Sequence, residues 1–140
     1  MKKYLLAVLI VMLYSCSSTK TVNKTLYEVL TVNNDGGANI KFYEILTEAK
    51  EIRMLLGDEA LRKKIKEEDV NNSSFVILNT GPTKETSNKL TIERVVETPT
   101  QIEIYVNDSQ KNIETKMADE ETIYPYTVVK VNSKKPIVIK

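Results

Sequence analysis

The chain has 140 residues, of which 20 are basic and 19 acidic, so its formal net charge at pH 7 is +1. This balance gives no reason to expect a nucleic-acid partner. Histidine is absent and Cys16 is the only cysteine, which excludes a Ser-His or Cys-His catalytic pair and a zinc site built from those residues. The four glycines form no phosphate-binding loop. We therefore predict that the protein is not an enzyme, and we expect neither a metal nor a cofactor.

The N-terminus has the pattern of a bacterial lipoprotein signal. Residues 1–3 are Met-Lys-Lys, and residues 4–14 form an apolar run that is shorter than the roughly 20 residues of a spanning helix. Residues 13–16 (Leu-Tyr-Ser-Cys) look like a lipobox, with Ser15 as the small residue before the cleavage site and Cys16 as the thiol that receives the lipid. The pattern predicts a signal peptide at residues 1–15 and lipidation of Cys16. An ordinary secretory signal with a chance cysteine is the alternative.

A polar segment follows the cysteine. Residues 17–24 (SSTKTVNK) have the composition of a flexible linker, so residues 16–24 are interpreted as a lipidated tether. The predicted partner of this segment is the membrane itself, contacted through the lipid on Cys16. We expect a lipid-anchored protein of the bacterial cell envelope, on the outer membrane with a periplasmic or surface orientation. No Asp-rich export signal follows Cys16, and both the periplasmic and the surface orientation are retained as alternatives.

Two β-rich segments surround a turn at the start of the domain. Residues 26–32 and 40–46 contain many β-forming residues, and residues 33–37 (Asn-Asn-Asp-Gly-Gly) are typical of a tight turn. This pattern predicts a first β-hairpin. The turn has the spacing of a calcium loop, but Ala38 occupies the position where an EF-hand needs glycine, so a plain turn is favoured.

Residues 47–71 are the only predicted helical region. Thr47 is the expected N-cap, Gly57 the expected stop, and Asp58 the cap of a second short helix or of a continuation after a break. The mixed charges of residues 62–69 are typical of a solvated helix face.

The residues after position 71 have the pattern of β-strands separated by turn residues. Residues 75–78 (FVIL) form a continuous apolar run, which predicts a strand buried on both faces. Further strands are predicted at residues 90–96, with a bulge at Val95, and at 102–106, 123–131 and 137–139. Pro125 should place the 123–131 strand on a sheet edge, at least locally. The predicted fold class is mainly β (β+α), a small antiparallel sandwich or open barrel of about seven strands with one helical insertion.

Two local motifs are candidate functional sites. Residues 119–121 (Asp-Glu-Glu) are predicted to be exposed loop charges, because carboxylates without burial or specific partners keep ordinary chemistry. Tyr124-Pro125-Tyr126 is the most distinctive feature of the domain. These tyrosines either pack on a strand face or form a rigid, amphipathic contact surface.

The C-terminal run resembles a known family. Residues 124–131 (YPYTVVKV), followed by 134–138 (KKPIV), are similar to the C-terminal-type domain of the protease complex subunit PrcB, which occurs in many bacterial lipoproteins. The resemblance extends to the 75–78 strand with Gly81, to the helical segment around Ile52 and to the opening at residues 27–40, so it covers nearly all of residues 25–140. The family carries a Thr-Gly-Gly-Tyr turn where this chain has Thr-Ser-Asn-Lys at 86–89. The resemblance therefore implies the domain type and not the activity of that loop.

The resemblance implies a lipid-anchored, non-catalytic module that binds or stabilises a protease complex or another envelope protein. The candidate partner contacts are Tyr124, Tyr126, Pro82, Lys84 and Lys89. Pairing of a partner segment with an exposed strand edge is the expected mode of binding. The competing hypothesis is a periplasmic or surface domain for a glycan or lipid ligand, which a concave apolar pocket would favour. The third hypothesis is an enzyme that uses only carboxylates, lysine or tyrosine.

Overall fold

The computed structural model describes residues 25–84, 87–108 and 121–140. They form seven strands and three short helices: β1 Tyr27–Asn33, β2 Phe42–Leu46, α1 Ala49–Leu55, α2 Glu59–Arg62, α3 Glu67–Asn72, β3 Ser74–Asn79, β4 Thr91–Glu97, β5 Ile102–Asn107, β6 Tyr126–Val131 and β7 Ile137–Ile139. The predicted fold class, a mainly β sandwich with one helical insertion, is confirmed. The predicted signal peptide, Cys16 and the tether lie outside the described residues. In the described ranges, none of the helices has the length and apolar character needed to cross a membrane.

The strands form two sheets. The first has the order β1-β6-β3-β2 and is antiparallel throughout. The second has the order β4-β5-β7, in which β4 and β5 are antiparallel whereas β5 and β7 are parallel. The parallel pair departs from the purely antiparallel expectation. β7 arrives from β6 of the other sheet, so no hairpin determines its direction.

The two central strands of the first sheet, β3 and β6, are buried on both faces. One face packs against the helices around Phe75, Val128 and Ile52, and the other packs against the second sheet around Val76 and Ile104. Because successive strand residues point to opposite faces, the run predicted to be doubly buried contributes alternately to the two cores. All four of its residues are buried or half-buried, as predicted. The molecule therefore has three layers: helices, four-stranded sheet and three-stranded sheet.

The predicted hairpin between the first two strands is wrong. β1 and β2 lie at opposite edges of the first sheet, with β6 and β3 between them. Residues 34–41 cross the ends of these two strands, a span of three strand spacings or about 14 Å. Gly36 has a φ of 99°, as the turn residues predicted, and the Gly37 N–H donates a 2.7 Å hydrogen bond to the Tyr124 carbonyl. The turn signal was read correctly for the local backbone, but it did not determine which strands pair.

The predicted edge position of the 123–131 strand is also wrong. β6 lies between β1 and β3 in the middle of the sheet. Pro125 is buried immediately before the strand begins, where its missing N–H removes no ladder hydrogen bond. Its carbonyl accepts a 3.0 Å hydrogen bond from the Thr80 N–H. Proline is accommodated here by position along the strand and not by an open edge.

The helical insertion agrees with the prediction in extent and differs in its caps. The Asp58 carboxylate accepts hydrogen bonds from the N–H groups of Ala60 (2.8 Å) and Leu61 (3.1 Å), so the predicted cap of α2 is confirmed. The N-cap of α1 is Glu48 rather than Thr47. The sequence did not predict α3 as a separate third helix within this region.

The bulge in β4 lies earlier than predicted. The register with β5 shifts between Ile92 and Arg94, and not at Val95. Because an extra residue reverses the alternation, Ile92 and Val95 both pack against the core between the sheets, whereas Val96 is 37% exposed. The position of the bulge therefore determines which β4 side chains face the core.

Candidate functional site

The five predicted partner contacts lie at one end of the first sheet. Asn33, Tyr126 and Asn79 are register partners there, and Phe42 pairs with Asn79. Three connections meet at this end, and we call the described residues 33–41, 79–84, 87–90 and 121–126 the loop end. Its segments contain all five predicted contacts: Tyr124, Tyr126, Pro82, Lys84 and Lys89.

The β1–β2 connection holds the backbone of Tyr124 from both sides. The Asp35 carboxylate accepts a 2.9 Å hydrogen bond from the Tyr124 N–H, and the Tyr124 carbonyl accepts one of 2.7 Å from Gly37. A Cβ at Gly37 would lie 2.7 Å from the Tyr124 oxygen, so the close approach requires glycine. The Tyr126 side chain packs against the core below the helices. Both tyrosines are half-buried, so they serve packing and leave only part of each side chain for contact.

The connection after β3 is joined to the segment before β6. Thr83 and Ile123 form an antiparallel bridge with N–H to carbonyl distances of 2.9 and 2.8 Å. The Thr80 hydroxyl accepts a 3.0 Å hydrogen bond from the Leu90 N–H, and the Leu90 carbonyl accepts one of 3.2 Å from the Thr127 hydroxyl. These bonds hold the three connections of the loop end to one another.

Two lysines of the loop end contact neighbouring polar groups. The Lys89 ammonium lies 3.3 Å from the Asn34 side-chain oxygen, and Lys41 forms an ion pair with Asp108. Pro82 and Lys84 are exposed. In the described part of the chain, no group of three His, Cys, Asp or Glu side chains is placed to hold a metal ion. Of the predicted acidic cluster only Glu121 lies within the described residues, and it is exposed.

Sequence reasoning missed a second surface, which overlaps the loop end at Ile40 and continues along β2. β2 pairs only with β3 among the described strands. Tyr43 is 40% exposed and Ile45 is 36% exposed, and Ile40 just before the strand is 66% exposed. Tyr43 and Ile45 lie opposite Leu78 and Val76, on the face where β3 and β6 pack against the second sheet. We call Ile40 and β2 the β2 edge.

The amino-acid pattern alone does not reveal this surface. The sequence predicts a hairpin of this segment with β1, and it does not indicate which side chains of the strand are exposed. Tyr43 and Ile45 are exposed because the three strands described for the second sheet do not extend over β2. The alternation of Tyr43, Glu44 and Ile45 is the only sequence signal, and it is shared by ordinary core strands.

An ordered polar cluster lies on the second sheet. The Arg94 guanidinium carbon lies 3.6 Å from the centroid of the Tyr105 ring. The two carboxylate oxygens of Glu103 accept hydrogen bonds from the Gln101 side chain (2.9 Å) and the Tyr105 hydroxyl (3.0 Å). The hydrogen bond from Gln101 is the largest cause that lowers the pKa of Glu103, and the bond from Tyr105 is the second. The hydrogen bond to Glu103 raises the pKa of Tyr105. The groups satisfy one another, which favours a role in holding this sheet together.

Comparison of the chain with family models, with curated proteins and with solved structures gave no match. The described residues form a small β sandwich with a helical layer. The relationship to the PrcB domain is a prediction from the sequence.

Proposed function

We propose that this protein is a lipid-anchored, non-catalytic envelope protein that binds a protein partner, and that the partner belongs to a protease complex. The observation that carries the protein-binding part is the β2 edge. Of the seven large apolar side chains that are exposed in the described ranges, three lie there within six residues of chain, beside the loop end. The protease part rests on the resemblance of residues 25–140 to the PrcB domain.

The apolar side chains of the β2 edge support a protein contact. Apolar groups that lie together on a surface, next to polar groups, mark interaction sites more often than isolated apolar residues do. Tyr43 and Ile45 lie on a strand that has no neighbour on its outer side among the described strands, and Ile40 lies just before that strand. A partner would remove these side chains from water and supply the missing neighbour.

The loop end supports a contact with little ordering. Its backbone is held by hydrogen bonds at Tyr124, Thr80 and Thr83, so a partner that docks there does not have to immobilise a loose chain. Because β2 begins at the loop end, one partner can contact both surfaces. The exposed parts of Pro82 and Lys84 then lie at the rim of that contact.

The proposed anchor restricts where the partner is found. The nine residues of the tether, 16–24, extend by at most about 30 Å from the lipid on Cys16. A domain held at that distance meets proteins of the same envelope and not proteins of another compartment. Two or more acyl chains are needed for stable anchoring, which is why modification of Cys16 is part of the proposal.

Site-specific photo-crosslinking in the native envelope tests the proposed function. The benzophenone amino acid is introduced in place of Ile40, and in a matched control in place of Lys63, the C-cap of α2, whose side chain is 72% exposed. We expect one defined protein adduct from position 40 that is absent from position 63, and identification of a protease subunit in it by mass spectrometry. An adduct with another envelope protein would retain protein binding and refute the protease assignment. Absence of an adduct, together with binding on a glycan array, would replace the proposal by the ligand-binding alternative.

A further inference from the structure

We propose that the β2 edge accepts an extended segment of the partner as a fifth strand of the first sheet. The segment carries a basic residue opposite Glu44 and apolar residues opposite Tyr43 and Ile45. This inference rests on the proposed function, because it requires a protein partner, and it adds how that partner is bound and what sequence it presents.

The backbone of β2 is suited to strand addition. β2 pairs with β3 over five consecutive residues, Phe42 to Leu46, without a register shift. In an antiparallel ladder the N–H and C=O groups of alternate residues point away from the neighbouring strand. Those groups of β2 face outward, in a regular row of the length that a short extended peptide can match.

The other edges in the described part of the chain are interrupted. β1 has a register shift between Val29 and Thr31, and the Lys64 ammonium donates to the carbonyl of Leu30 at that place. β4 has a register shift next to Ile92, and β7 has only three residues. Bulges, lysines and short strands are the usual means of preventing edge pairing. β2 contains no bulge, lysine or proline, so it is the edge that is left able to pair.

The side chains of β2 select the chemistry of the added strand. Tyr43 and Ile45 lie on one face, where apolar residues opposite them would bury the exposed area of all the side chains involved. Glu44 points to the other face and is exposed, and it forms no ion pair with any described residue. An opposite charge directly across an antiparallel pair is stabilising, so a lysine or arginine fits at that position.

The same charge argues against a second copy of this chain. Two β2 strands paired antiparallel so that Tyr43 meets Ile45 of the other copy place Glu44 directly opposite its counterpart. Like charges in this position destabilise the pair. The edge therefore favours a different sequence over self-association.

Fluorescence anisotropy with the full mature chain in detergent micelles tests the inference. The probes are two labelled peptides, Thr-Val-Lys-Ile-Thr and the same peptide with glutamate in place of lysine. We expect the native chain to bind the lysine peptide about fivefold more tightly than the glutamate peptide, and Glu44→Lys to reverse this preference. The matched control is Glu68→Lys, which changes the same charge at an exposed position of α3 and should leave the preference unchanged. Circular dichroism of each variant verifies that it is folded.

Backbone methylation of the lysine peptide separates strand addition from ordinary charge attraction. N-methyl groups on residues of one parity face β2 and should abolish binding, whereas those on the other parity face solvent and should be tolerated. Equal loss at both parities, equal affinity for both peptides, or no binding would overturn the inference. The adduct from position 40 in the crosslinking experiment would be unaffected by these outcomes, so a failure of strand addition is distinguishable from a failure of the proposed function.

Discussion

The Lys130 ammonium lies 3.4 Å from the Asp69 carboxylate, and the side chains of both residues are buried. Lys130 is on β6 in the middle of the first sheet, and Asp69 is on α3. The same carboxylate oxygen accepts a 2.9 Å hydrogen bond from the Lys66 N–H at the start of α3. This pair therefore connects the helical layer to the sheet, and it also holds the first turn of the helix.

Removing one member of this pair should destabilise the domain strongly. Asp69→Asn leaves the Lys130 charge buried, with Glu28 at 3.2 Å as its remaining carboxylate, whose side chain is 54% exposed. We expect a loss of about 3 kcal/mol in the free energy of unfolding, because the Lys130 charge stays buried and keeps only a half-exposed counter-charge. Urea denaturation followed by circular dichroism measures the change.

Two variants serve as controls for the buried pair. Glu28→Gln, which removes the exposed carboxylate, should cost less than about 1 kcal/mol. The double variant Asp69→Leu, Lys130→Met removes both buried charges and should recover most of the stability lost by Asp69→Asn. A loss below about 1 kcal/mol for Asp69→Asn would show that the pair contributes no more than a surface ion pair.

Gly37→Ala should destabilise the loop end. The new Cβ would lie 2.7 Å from the Tyr124 oxygen and 3.2 Å from the Pro125 oxygen, and both atoms belong to backbone that is held by hydrogen bonds. We expect a loss of about 1–3 kcal/mol, typical of inserting an atom where there is no space. Thermal denaturation measures it. Gly57→Ala, whose new Cβ would lie 3.2 Å from the Met54 carbonyl oxygen, is the control and should lose less. Equal losses would contradict the close approach of residue 37 to Tyr124.

The pKa of Glu103 should depend on its two hydrogen-bond donors. Gln101→Ala should raise that pKa towards its ordinary value, and Tyr105→Phe should raise it by a smaller amount, because Gln101 is the larger cause of the lowering. Carboxyl-detected NMR titration of the folded protein measures both shifts.

A carboxyl whose pKa is lowered by folding contributes stability above its unfolded pKa, and this contribution is lost as the pH falls through the folded pKa. The difference in stability between the native chain and Glu103→Gln should therefore shrink in acid. A difference that stays constant from neutral pH to acid would contradict this linkage.

Lipidation of Cys16 should determine membrane attachment. In the native host, Cys16→Ala should shift the protein from the membrane fraction to the soluble fraction, because no other lipid attachment site is expected in the chain. Intact-mass analysis of the membrane-bound native protein should show loss of residues 1–15 and addition of a diacylglyceryl group. An unmodified sulfur at Cys16, or membrane retention of the alanine variant, would remove the anchor from the proposed function.

The site was predictable in part. The five residues chosen from the sequence are distributed between residues 82 and 126, and they lie in the connections of one sheet end, together with the turn at 33–37 that had been assigned to a hairpin. The chain provided no signal for the Tyr124 contact with Asp35 and Gly37, since those residues are about 90 positions apart. The β2 edge was not predictable, because its exposure depends on how far the second sheet extends.

What the amino-acid order determined by itself is local. The continuous apolar run of β3, the cap at Asp58 and the positive φ of Gly36 follow from the chemistry of neighbouring residues, and the sequence was sufficient to predict them. The missing histidines and single cysteine likewise restrict the available chemistry without reference to any fold. The tertiary structure alone decided that β6 is central, that β1 and β2 are opposite edges and that Tyr43 and Ile45 are exposed. Strand pairing depends on the summed burial of residues far apart in the chain, and a turn specifies only its own backbone and not the partner of the strand that follows.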